Sequence, residues 1–155
     1  MNSSIVFPSR EWAEEYCRVL NESSEYRDLG RGWVWPILFI VTELPPDLRS
    51  QYPSGNPGFI ADLYNGECRG VKFYDDASSV DAPFILSARY RDWLDILSGR
   101  ETPVSAMLKR KLILRKGDMA AVLRYAYRNC FGFYIGLYWV MLFFCYDQHI
   151  DLFSV

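Results

Sequence analysis

Apolar residues first fall at helical spacing between Arg10 and Asn21. Trp12, Ala13, Tyr16, Cys17, Val19 and Leu20 share one side, while Glu11, Glu14, Glu15 and Arg18 take the other. Ser9 precedes the run as an N-cap. NESSEYRDLGRG then loosens the chain and ends in glycines. Trp33–Thr42, WVWPILFIVT, is apolar at both parities, which predicts a strand covered on both faces; Pro36 removes one ladder donor and favours an edge position or a bulge. ELPPDLRSQYPSGNPG holds four prolines and is expected as a long loop. In FIADLYNGECRGVKFY, Asn65-Gly66 predicts a type I′ hairpin turn, with Asp62 opposite Arg69 and Ile60 opposite Val71.

A second turn, DDASSVD, leads to a strand over Ala82–Ala88. ARYRDWLDILSG predicts a short helix with Tyr90, Trp93, Leu94 and Leu97 on one side and Gly99 as its stop. Thr102-Pro103 restarts a brief helix, VSAML, and KRKLILR is a strand of basic and apolar residues. Asp118 caps a last helix from Met119 to about Cys130, with Met119, Val122, Leu123, Ala126 and Tyr127 on its apolar face and Arg124 and Arg128 on its polar one. Strands mostly follow strands through short turns. The expected fold is therefore α+β, a mainly antiparallel sheet of about five strands with helices against it.

Composition changes this picture in three ways. At 155 residues, the chain has the length of one domain. Its net charge of −2 gives no nucleic-acid signature, and the aromatic rings lie on apolar faces rather than among basic residues, so no nucleic acid is expected as a partner. Aromatics make up 17% of the chain, which calls for large apolar contacts: a wide core, a cavity or an interface.

Catalytic chemistry finds little support. His149 is the only histidine, which argues against a Ser-His-Asp triad and a His-based metal site. The serines and aspartates of SARYRD and SSVD have no nearby base, and Asp75-Asp76 and Glu14-Glu15 are simplest as a turn and a solvated helix face. The protein is expected to be non-enzymatic, with no cofactor and no metal. Cys17, Cys68, Cys130 and Cys145 have no CxxC spacing, and MNSSIVFPSREW has no signal-peptide pattern. These features are read as reduced thiols in a cytoplasmic protein. DLFSV is not a peroxisomal address.

One block carries a more specific signal. FILSARYRDWLDILSGRETPVSAMLKRKLILRKGDM, Phe84–Met119, resembles the core signature of the sterol carrier protein type-2 family. Its parts are a strand entering a helix, the Ser98-Gly99 stop, a small helix after Pro103, a strand of alternating Lys and apolar residues, and Gly117-Asp118 opening a helix. The chain departs from the pattern at Arg110, where the family usually has Gly. The resemblance is loose elsewhere over residues 9–130. It implies a sheet covered by helices, with a hydrophobic tunnel for lipids or acyl chains and no catalysis as such.

On that basis residues 1–130 form a lipid-binding domain. The candidate pocket is expected between the sheet and the C-terminal helices, with walls Trp35, Phe39, Phe84, Leu86, Trp93, Met107, Leu108, Leu123, Tyr127, Phe131 and Tyr134. The alternative is that these residues simply fill the core. Lys109, Lys111, Arg115, Arg124 and Arg128 are candidates for headgroup or membrane contact, against the plainer reading of a solvated face. Residues 131–155 form a tail whose segment Phe131–Tyr146 contains no charge. From Asn129 the uncharged stretch would span roughly 27 Å as a helix, just short of a hydrocarbon core of about 30 Å. Gly132 and Gly136 stand at GxxxG spacing, while aromatics fill the middle of the run as well as its ends. Three readings stay open: a lid over the pocket, a homodimer or partner interface without a cavity, and a membrane-inserting tail.

Overall fold

The computed structural model describes residues 5–128, and side-chain burial through Tyr125. The tail 131–155, with its proposed lid, dimer and membrane roles, and the side chains of Tyr127, Arg128, Phe131 and Tyr134 lie outside the described residues. The element order is α1 (Arg10–Glu22), α2 (Ser24–Leu29), β1 (Ile37–Thr42), α3 (Pro46–Gln51), β2 (Gly58–Tyr64), β3 (Glu67–Tyr74), β4 (Phe84–Arg89), α4 (Tyr90–Leu97), α5 (Pro103–Leu108), β5 (Leu112–Lys116) and α6 (Met119–Arg128). The α+β expectation holds. The five strands form one sheet in the order β3-β2-β1-β4-β5, antiparallel except where β1 and β4 run parallel.

β1 is the central strand, so the edge position suggested by Pro36 is corrected. The strand begins at Ile37, and Pro36 stands just outside the ladder, where its missing N–H removes no ladder bond. The double-sided apolar pattern is correct: Ile37, Phe39 and Val41 enter the main core, while Leu38 and Ile40 enter a smaller one with Ala77 and Ala82 on the opposite face.

Two stretches read as loops contain helices. In NESSEYRDLGRG, the Ser23 side chain accepts from the Tyr26 N–H at 3.1 Å and starts α2. In the proline-rich loop, Pro46 opens α3 at the position where a helix needs no N–H. Both helices have six residues, too short for apolar periodicity to reveal.

The hairpin turns at Asn65-Gly66 as expected, with both residues at positive φ (47 and 81). Asp62 and Arg69 meet in a two-pronged ion pair, at 3.1 Å for each contact. Ile60, however, faces Lys72 rather than Val71, because a register shift between Ala61 and Leu63 slips the pairing by one residue. The turn also packs against the end of α2. A Cβ on Gly66 would collide with the Arg27 carbonyl oxygen. Gly66→Ala is expected to cost about 2–3 kcal/mol, through left-handed backbone and overpacking against main chain that cannot swing aside. Urea unfolding checks this, and a loss below about 0.5 kcal/mol would contradict the contact.

The thiol reading is corrected as well. Cys17 of α1 and Cys68 of β3 form a disulfide across a sequence separation of 51. Their distance in sequence hid a pairing that appears only once α1 packs along the sheet edge. The argument from free thiols to a reducing compartment therefore falls. Beside this link, the Asn21 side-chain amide donates to the Cys68 carbonyl and accepts from the Cys68 N–H, each at 2.8 Å.

Candidate functional site

The site lies between the main face of the sheet and α1 and α4. Ser9 caps α1 by accepting from the Trp12 N–H at 3.1 Å, which aims Trp12 and Tyr16 at the sheet. The preceding Phe7 is held in place through Pro8, whose carbonyl accepts from the Tyr52 hydroxyl at 3.0 Å. Phe39 and Val41 rise from β1 and Phe59 from β2. On α4, Trp93 and Leu97 share a buried side at i, i+4 spacing. The Trp93 indole N–H donates to the Ile40 carbonyl at 2.9 Å, so this ring is oriented by a polar bond as well as by packing.

These eight side chains line an apolar gap of about 20 Å³. Rings meet around it largely edge-on or tilted: Phe7 with Trp12 at 4.7 Å, Phe39 with Phe59 at 5.1 Å and Phe39 with Trp93 at 5.9 Å. Burial, and then the neighbouring Tyr26, push the Tyr16 phenol pKa up, so that ring joins the wall as a neutral group. The gap has room for about one water-sized guest, and an apolar wall gives such a guest nothing to bond.

Of the expected wall residues, Phe39 and Trp93 line the gap. Leu86 is buried beside it in the main core, and Met107 is half-buried against that core. Trp35 and Phe84 belong to a second aromatic group with Trp33 and Tyr125. Trp33 lies 4.7 Å from Phe84 and 5.1 Å from Tyr125, and Trp35 lies 5.5 Å from Phe84. Leu108 does not belong to any wall: at 77% exposure it stands on the surface. Leu123 is half-buried, and α6 presents Ala121, Val122 and Tyr125 to the core; of its expected apolar face Val122 is so placed, Met119 is exposed, and the side chains of Ala126 and Tyr127 lie outside the described residues. Phe7, Trp12, Tyr16, Val41, Phe59 and Leu97 line the gap without having been expected there. For Trp12, Tyr16 and Leu97 the signal was the apolar side of their own helices.

The basic residues are dispersed. Lys109 and Lys111 both reach Glu101, at 3.4 and 3.3 Å. Arg115 crosses the other face of the sheet and donates to the buried Ser87 hydroxyl at 2.8 Å. Arg124 is exposed on α6. In the SARYRD segment, Asp92 is buried and accepts from the Arg89 guanidinium at 2.7 Å, so its part is to fix the start of α4. Among the described residues, no group of His, Cys, Asp and Glu could hold a metal ion, and no helix is long and apolar enough to cross a membrane.

A crystal structure of sterol carrier protein 2 superposes with a TM-score of 0.72 and 31% identity, covering 85% of this chain and 98% of the other. The chain belongs to the sterol carrier protein 2 family. The solution structure of a conserved hypothetical protein from Thermus thermophilus is comparably similar, with a TM-score of 0.73, 30% identity and coverage of 93% and 92%. The apo form of sterol carrier protein 2 from Yarrowia lipolytica shares the fold at 14% identity, with a TM-score of 0.51 and coverage of 82% and 87%. No family model and no curated protein matches the chain. The departure from the sterol carrier pattern at Arg110 has a backbone counterpart: this residue holds a φ of 58, which glycine adopts without strain.

Proposed function

We propose that the chain carries an apolar ligand of the lipid or acyl class between its sheet and its helices, without converting it. The observation that supports this reading is the ring-lined apolar gap in a sterol carrier protein 2 fold. Its wall supplies rings, alkyl groups and one neutral phenol, which suits burial of an aliphatic guest and not proton or group transfer. Ligand binding of this kind follows buried apolar area, at about 25 cal/mol per Å² before ordering costs. A gap of about 20 Å³ is too small to hold such a ligand as it stands. A chain-length guest enters by parting α1 and α4 from the sheet.

Native mass spectrometry and organic extraction of the full chain test the reading, together with uptake of a fluorescent fatty acid. Bound lipid, or saturable uptake with quenching of tryptophan emission by a brominated fatty acid, is expected, because Trp12 and Trp93 stand in the wall. No bound lipid and no uptake overturn it.

A single methylene should separate filling from unfolding. Val41 is fully buried in the wall. Val41→Ile is expected to leave stability within about 1 kcal/mol of the parent, since one buried methylene is worth about 0.8 kcal/mol. The same change lowers fatty-acid uptake severalfold by occupying the gap. Equal uptake by the two proteins would place the ligand elsewhere.

A further inference from the structure

The turn between α5 and β5 presents an unusual combination. Leu108 is the most exposed large hydrophobic residue among those described, and it is followed by the exposed cations Lys109 and Arg110. The turn is fastened from beneath. The Lys109, Arg110 and Lys111 N–H groups donate to the Ser105, Met107 and Ala106 carbonyls at 2.9, 3.1 and 2.8 Å. Val104 and Ala106 bury the other side of α5. Leu108 is thus displayed by a closed turn rather than by a loose loop.

The charge of the tip is net positive. Glu101 is the shared acidic partner of Lys109 and Lys111, and hydrogen bonds from Ser105, then Lys111 and Lys109, hold its carboxyl below the usual range. Three cations therefore face one carboxylate, and Arg110 has no acidic partner among the described residues. An apolar tip ringed by net positive charge is complementary to a bilayer with anionic headgroups: the side chain enters the acyl boundary while the cations meet phosphate.

Its place in the fold gives this complementarity a use. Leu112, which begins β5 just after the tip, pairs with Ala88, and Ala88 pairs with Val41 in the wall of the gap. Two strand spacings, about 10 Å, separate those positions across the sheet. The tip stands at the Val41 end of the sheet, the same end from which α4 carries Trp93 and Leu97 into the wall.

We propose that Leu108, Lys109 and Arg110 dock the protein on an anionic bilayer with the cavity end of the sheet toward the lipid. The use of that contact for loading rests on the carrier reading above, but the contact itself is measured without any cavity ligand.

The test is flotation of the full chain with phosphatidylcholine vesicles, with and without phosphatidylglycerol. Parent protein is expected to float with the anionic vesicles at low salt and to be released as salt rises. Leu108→Asp, and separately Lys109→Glu with Arg110→Glu, are expected to lower the bound fraction by about tenfold or more. The melting temperature of Leu108→Asp should stay at the parent value, since that side chain is exposed, whereas Lys109→Glu sets a second carboxylate beside Glu101 and lowers it modestly. Lys72→Glu, on the opposite edge of the sheet, should float like the parent. Parent-like flotation of both tip variants would overturn the proposal and assign bilayer contact to another segment. Absence of flotation by the parent would also overturn it, as would loss of self-association in Leu108→Asp without vesicles, which would make a second copy the partner. Fatty-acid uptake from solution by the tip variants stays at the parent level, so failure of docking and failure of the carrier reading give different results.

Discussion

Replacing Cys17 and Cys68 together by serine is expected to lower the unfolding free energy by about 4 kcal/mol. The link closes a sequence separation of 51 residues, from the middle of α1 to the start of β3. In the chain-entropy account such a loop restricts the unfolded ensemble by about 4 kcal/mol at room temperature. Buried hydroxyls in place of the sulfurs add to the loss. Urea unfolding without reductant measures it, and the variant should show a steeper dependence on urea because its unfolded chain is more expanded. The parent protein with reductant should approach the variant. Thiol titration of the unfolded parent should find the pair unreactive until it is reduced. A change below about 1 kcal/mol, with all four cysteines of the unreduced, unfolded parent found reactive, would show that the pair is not bonded in solution.

The same variant bears on the site. Tyr16, next to Cys17, and Trp12, one turn before it, are both in the wall. The disulfide and Asn21 fasten the C-terminal half of α1 to β3. Cutting the link is therefore expected to speed fatty-acid uptake as well as to lower stability.

Trp93→Ala is expected to cost about 3–5 kcal/mol. The ring is 4% exposed and borders the gap, so its removal joins a large void to an existing one. The Ile40 carbonyl of the central strand loses the indole N–H that it accepts from at 2.9 Å. Trp93→Phe separates the two losses: it keeps most of the ring and removes only the donor to the Ile40 carbonyl, for about 0.5–1.5 kcal/mol. The enlarged cavity of Trp93→Ala should admit bulkier apolar probes than the parent and regain part of the lost stability when they bind. Chemical denaturation with and without a polycyclic apolar probe checks both. Stability equal to the parent, or no response to any apolar probe, would contradict the position given to Trp93.

Long periodic elements were legible in the sequence because each repeats its signal. α1, the Asn65-Gly66 hairpin, α4 and the block from Phe84 to Met119 lie close to where spacing, caps and turn residues put them. α2 and α3 were not, since six residues give fewer than two turns and their opening residues, the cap Ser23 and the first helical residue Pro46, sit in segments rich in turn formers. Ile60 shows the limit for register: one bulge near Asp62 changes its partner while leaving the Asp62–Arg69 pair intact. For the site, Phe39 and Trp93 were found by apolar patterning, but patterning cannot tell a gap from the core around it. Leu108 fell on the surface because α5 turns Val104 and Ala106 inward, and a six-residue helix has only one such side. Cys17 and Cys68 needed the packing of α1 on β3 before their proximity had any trace.

Asn21 has a consequence for how the protein behaves at high concentration. β3 ends the sheet on one side, and an outer strand offers backbone groups that another chain can pair with. At Cys68 the Asn21 amide takes both the N–H and the carbonyl, in the way an added strand would. A side chain from α1 thereby occupies the outer strand at Cys68, where an incoming strand cannot pair. The residue is in effect a built-in stopper against edge-to-edge polymerisation, placed where the disulfide keeps it from swinging away.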